Sequence, residues 1–143
     1  MASPKGFIIY RIYYANTIVY VGRTKQPLQS RMHGHMFNAP MHRSIDIHNV
    51  SKIEYTMLKT EADMNLYEIY YINLWKPALN VDDKAKDKLT IQLPDLEWKE
   101  FVPVNWDKWK EQLKPNDMYG WHKARNNRVM KKAQKELWKN ENE

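Results

Sequence analysis

The chain has 143 residues, 43% of them apolar and none of them cysteine, which allows one buried core and excludes disulfides, thiol nucleophiles and cysteine-bound zinc. No apolar run approaches the ~20 residues of a bilayer span, and Met1-Ala2-Ser3-Pro4-Lys5 lacks the layout of a signal peptide, so the expectation is a soluble cytoplasmic protein with no membrane partner. The formal net charge of +6 is segregated: +5 over residues 1–50, −3 over 51–120 and +4 over 121–143. Basic ends suit a polyanion, because clustered cations displace counterions from a phosphate backbone; a solvated basic helix that aids solubility accounts for the charge equally well.

Phe7 to Tyr14 is rich in β-branched and aromatic residues and predicts a strand; Ala15-Asn16-Thr17 is a turn, and Ile18 to Gly22 a second strand. Two strands so close in sequence form an antiparallel hairpin. Pro27 suits the first turn of a helix that carries Leu28, Arg31, Met32 and His35 at helical spacing. Residues 37–50 lack periodicity and read as loop, and Ser51 to Lys59 alternates as a third strand. Thr60 is a good N-cap, with Glu61 and Asp63 in the first turn of a long helix that Pro77 ends. Residues 6–80 are therefore expected to form a small α/β (α+β) unit, a three-stranded antiparallel sheet flanked by helices. A charged linker is expected over 81–95, and a basic, tryptophan-rich helical extension over 96–143, with helices near 106–113 and 121–139.

Several residues invite a chemical reading beside a bland one. Tyr10 and Tyr20 can face the same way across the hairpin, though such a pair is usually an aromatic cross-strand contact. Gly22 is expected to end its strand, where the backbone turns or something approaches closely. Arg31 and His35 share a helix face and make a plausible phosphate clamp or an ordinary surface pair. Glu68 lies in an apolar neighbourhood that demands a partner, either a divalent cation or a salt bridge. Asn80, after Pro77-Ala78-Leu79, can be a plain turn residue.

In this order and spacing the residues resemble the GIY-YIG nuclease family. Ile8-Ile9-Tyr10 and Tyr20-Val21-Gly22 match its name motif, Arg31 its helix arginine with His35 one turn on, Glu68 its metal-binding glutamate and Asn80 its late asparagine. Ile8 replaces the leading glycine and Val21 an isoleucine, positions that do no chemistry. The resemblance covers residues 6–80 and implies a DNA endonuclease with catalytic residues Tyr10, Tyr20, Arg31, His35, Glu68 and Asn80, with Gly22 and His42 as secondary candidates. Glu68 would hold Mg2+ (or Mn2+), Arg31 would neutralise phosphate oxygens, and Tyr10 would act on the attacking water while Tyr20 orients it. A phenol with pKa ~10 is a poor base, so Tyr10 would need positive charge from Arg31, His35 or the metal. Expected DNA contacts are Arg23, Lys25, Arg43, Lys123, Arg125, Arg128, Lys131, Lys132 and Lys135. Double-strand cleavage would take a homodimer or two encounters. The expected setting is a stand-alone phage or mobile-element enzyme in a bacterial or phage-infected cell. The alternatives are a restriction or repair nuclease, a non-catalytic nucleic-acid-binding module on the same fold, and a protein adaptor using the tryptophan-rich tail.

Overall fold

The computed structural model describes residues 3–37, 45–81, 83–114 and 120–141. Strands β1 (Phe7–Tyr14), β2 (Thr17–Thr24) and β3 (Val50–Leu58) form the expected antiparallel sheet. A two-residue strand β4 (Lys99–Glu100) extends it, giving the order β2-β1-β3-β4. No alternation pattern could announce β4, because a two-residue edge strand has no period to read.

β1 is the central strand of the hairpin unit and is buried along nearly its whole length, which is why its sequence is a continuous run of β-branched and aromatic residues rather than an alternation. One face of the sheet, carrying Ile8, Tyr10, Ile12 and Tyr14, packs on helix α1 (Leu28–Phe37) through Leu28, Met32 and Met36 at four-residue intervals. Trp109 and Leu113 from α3 (Trp106–Gln112) and its C-cap, and Ala133 from α4 (Gly120–Glu141), close that core. The opposite face, carrying Ile9 and Val21, packs on α2 (Glu61–Trp75) through Met64, Tyr71 and Ile72. The Thr60 side chain accepts from the Asp63 amide at 3.0 Å, the expected cap.

The stretch read as a charged linker does more than connect. Leu89, Leu93, Leu96 and Trp98 pack on the α2 face, and the Tyr67 hydroxyl donates to the Pro94 carbonyl at 2.8 Å. Arg11, ion-paired with Glu54 at 2.8 Å, lies 4.0 Å under the Trp98 ring and 5.2 Å from that of Trp75. Among the described residues of 83–98 the lysines and aspartates are exposed while every leucine turns in, a strap whose apolar residues are too sparse to signal an element. Trp106 and Trp109 are likewise packed, whereas Trp121 and Trp138 are exposed. Among the described residues, no helix is long and apolar enough to cross a membrane.

Candidate active site

Tyr10 lies in the middle of β1, paired with Gly22 on one side and Tyr55 on the other, and is wholly buried. Gly22 does not end its strand: β2 continues to Thr24. The close approach is real, however. A Cβ on Gly22 would stand 2.5 Å from Tyr10 Cζ and 2.9 Å from Tyr20 Cε1, so only glycine leaves the Tyr10 phenol its place.

Arg31 and His35, one turn apart on α1, reach the same hydroxyl. Arg31 Nε donates to Tyr10 Oη at 3.1 Å, and Tyr10 Oη lies 2.6 Å from His35 Nε2. A guanidinium can only donate, so the phenol oxygen accepts from Arg31; the direction of its bond with His35 follows the imidazole tautomer, and with the imidazole proton on Nδ1 the phenol donates to Nε2. The Tyr20 ring stands 6.1 Å from that of Tyr10 and edge-on to His35 at 5.1 Å. Two tyrosines, an arginine and a histidine thus form one contiguous cluster.

Of the sources of charge expected to activate Tyr10, the two side chains, Arg31 and His35, do not do so by themselves. Burial, followed by the adjoining Tyr20, holds the Tyr10 phenol well above its ordinary value, and Arg31 offsets this only in part. His35 cannot supply charge either: burial and then Arg31 bring it down to about 3. At neutral pH the site holds a neutral phenol bonded to a neutral imidazole. Arg31 resists its own burial because both phenols lie beside it, and it stays charged.

Glu68 sits on α2, on the side that meets β2. Its carboxylate is 16% exposed and 3.5 Å from Arg23 Nε, while Arg23 also donates to Asn65 Oδ1. Burial raises the Glu68 pKa and Asp83 adds to this; Arg23 and Arg31 oppose. Arg31 therefore connects the two parts of the site, bonded to Tyr10 and within electrostatic reach of Glu68. Among the described residues no group of three or more His, Asp or Glu side chains could hold an ion by protein ligands alone. One half-buried carboxylate fits a hard cation that keeps most of its waters, and a charge penalised by burial gains from a cation beside it.

Asn80, expected among the catalytic residues, has both ends of its amide engaged elsewhere. Its Oδ1 accepts from Val21 N and its Nδ2 donates to Val21 O, each at 2.9 Å, while Leu79 N donates to Val19 O at 2.8 Å. Asn80 seals the outer edge of β2 at Val21, between Tyr20 and Gly22. Of the expected DNA contacts, Arg23 is held by Glu68 and Asn65, Lys25 by Glu61 at 3.1 Å, and Arg125 donates to Ala78 O at 2.8 Å. Lys123 is half-buried; Arg128, Lys131, Lys132 and Lys135 are exposed on α4. His42 and Arg43 lie outside the described residues. Asn65 was missed by sequence reasoning. Its signal was present, since Glu61, Asn65 and Glu68 make a polar stripe at i, i+4 and i+7 along a helix rich in apolar and aromatic residues.

Part of the chain is similar to proteins named UvrABC system protein C. Those of Yersinia pestis, Serratia proteamaculans (strain 568) and Pectobacterium atrosepticum (strain SCRI 1043) are each 34% identical over 83 residues, which is 54% of this chain and 13% of the relative. The chain thus spans 13% of the length of the curated relatives it matches. No protein-family model matches the chain, and no solved structure does.

Proposed function

We propose that the chain is a divalent-metal-dependent endonuclease of the GIY-YIG type that hydrolyses DNA phosphodiester bonds. The observation that carries this reading is the chain of contacts from Arg31 Nε through Tyr10 Oη to His35 Nε2, 3.1 and 2.6 Å long, built against Gly22, where any side chain would collide with the Tyr10 phenol. A packing role alone needs neither the buried cation nor the polar relay, since buried polar groups cost stability unless bonded. The similarity to UvrABC system protein C over 83 residues supports DNA as the substrate class.

Hydrolysis requires that water lose a proton and that charge on the phosphate be neutralised. Arg31, charged and adjacent to both phenols, receives the non-bridging oxygens. Tyr10 takes the water proton as it gives its own to His35 Nε2, so the base is the pair and not a preformed phenolate. A phosphate against Arg31 cancels part of the field that depresses His35, and the imidazole regains basicity as substrate arrives. Tyr20, half-buried at the mouth of the cluster, orients water and phosphate. Glu68 would hold Mg2+ or Mn2+; such an ion, when bound, supplies charge neutralisation at the phosphate and the leaving oxygen. The exposed cations of α4 would track the DNA backbone without reading sequence.

The test is nicking of supercoiled plasmid in Mg2+, with and without EDTA. Activity that EDTA abolishes and that is lost in Glu68→Ala and Tyr10→Phe, with DNA binding retained, is the expected result. Robust cutting by Glu68→Ala refutes the metal site.

A further inference from the structure

Two cations have claims on one carboxylate. Arg23 Nε stands 3.5 Å from Glu68 Oε1, a loose ion pair, and a second arm of the same guanidinium donates to Asn65. Both grips come from one turn of α2, because Asn65 and Glu68 are three residues apart. The exposure is graded, 46% for Arg23 against 16% for Glu68, so the guanidinium lies across the solvent side of a carboxylate set further in. Arg23 follows Gly22 in β2, which places it on the strand that carries Tyr20.

We infer that Arg23 is the resident counter-ion of Glu68, that a divalent cation must displace it to reach the carboxylate, and that the released guanidinium then becomes a phosphate ligand. The inference rests on the assignment of Glu68 as the metal carboxylate. A guanidinium and a divalent ion repel, so on one carboxylate each weakens the other's hold whichever oxygen it takes. The exchange is feasible because a half-exposed pair at this separation is weak. Once released, Arg23 has the planar fork that matches a phosphate, and it projects from the α2 face of the strand whose other face carries Tyr20. Metal and DNA are thereby coupled: each favours the conformation in which Arg23 has left Glu68, and the coupling acts equally in both directions.

The experiment measures Mn2+ binding to the full chain by calorimetry, without DNA, for wild type, Arg23→Gln, Arg23→Lys, Lys25→Gln and Glu68→Gln. Removing the competitor is expected to tighten Mn2+ about threefold or more, the scale of a half-exposed ion pair. Arg23→Lys, which keeps the charge but loses the fork, is expected to fall between wild type and Arg23→Gln. Lys25→Gln removes an equal charge paired with Glu61 and is expected to change little, which separates local competition from net charge. A second readout is anisotropy of a labelled duplex in EDTA and in Ca2+, where the gain on adding Ca2+ is expected to shrink in Arg23→Gln. Thermal melts establish that each variant is folded; if Arg23→Gln is not, Arg23→Lys carries the comparison. Unchanged or weaker Mn2+ binding by the folded Arg23 variants, with Glu68→Gln binding lost, overturns the inference and leaves the proposed function standing. Retained Mn2+ binding by Glu68→Gln overturns the metal assignment on which both rest.

Discussion

Gly22→Ala adds one methyl group to the most crowded point of the site. The new Cβ would lie 2.5 Å from Tyr10 Cζ, where carbon atoms rest at about 3.5–4.0 Å, so the phenol must retreat by about 1 Å. Tyr10 has nowhere to go: it is wholly buried on the central strand, with Gly22 on one side and Tyr55 on the other. Overpacking of this kind costs about 1–3 kcal/mol. For a chain of this size that lowers Tm by roughly 3–9 °C. A retreat of the same length stretches the 2.6 Å contact to His35 past the range of a hydrogen bond and weakens the 3.1 Å bond from Arg31. Misplacement of a catalytic group by about 1 Å costs on the order of 100-fold in rate. Calorimetry and plasmid-nicking kinetics on one preparation read both effects, and a Tyr10→Val background should abolish most of the stability penalty by removing the ring that the methyl meets. A Gly22→Ala protein with wild-type Tm and wild-type nicking would refute the reasoning, because the phenol could not then lie against the glycine.

Asn80→Ala strips partners from the buried Val21 N–H and C=O, an expected loss of about 2–4 kcal/mol in chemical denaturation, with nicking impaired through displacement of Tyr20. His35 is depressed to about 3 in the fold against an ordinary value near 6.5, so its neutral form contributes stability that is fully present above pH 6.5 and is lost as pH falls toward 3. Urea titrations should show wild-type stability declining by up to about 1.4 kcal/mol per pH unit in that window, with a shallower decline in His35→Gln. Trp98→Ala removes the ring over Arg11 and should cost about 2–3 kcal/mol, with faster proteolysis within residues 83–96 and little effect on Mn2+ binding. Replacing Arg128, Lys131, Lys132 and Lys135 together by glutamine should flatten the dependence of log K for DNA on log salt by about three to four units of slope; an unchanged slope would remove α4 from the interface.

The hairpin, the following helix and the α2 cap were readable because each has a strong local cause: β-branched runs, Pro27 at a helix start, and Thr60 bonding the Asp63 amide. The cluster around Tyr10 was readable for a different reason. Residues 10, 20, 22, 31 and 35 sit on two strands and one helix joined by short connections, so local structure alone brings them together. What escaped depends on distant partners. The 83–98 strap is held by Arg11, Tyr67 and Trp75, none near it in sequence, and its charge gave no sign of this. Asn80 looks like a turn residue, and only the open edge of β2 explains why an amide, which can donate and accept at once, stands there. The ionisation state of Tyr10 and His35 was beyond reach as well, because burial decides it and burial belongs to the assembled fold.

In the proposed nuclease those two ionisation states bear on how the site stays idle without substrate. A preformed phenolate beside Arg31 would attack or deprotonate whatever entered, and an imidazolium at His35 would offer no acceptor for the phenol proton. Burial forbids both charges at once, since it raises one group and lowers the other. The relay is therefore assembled but inert: a donor, an acceptor and a 2.6 Å contact between them, with no driving force to move the proton. Two anionic or cationic arrivals change that in the same direction. A phosphate at Arg31 weakens the field on His35, which raises its basicity, while positive charge at Glu68 favours loss of a proton from the phenol side of the pair. Arg23 adds a third condition, because the carboxylate is paired until its guanidinium leaves. On the proposed reading, geometry fixed by a glycine, protonation set by burial, and charge supplied only by the reactants together make the catalytic base a property of the loaded complex rather than of any one residue.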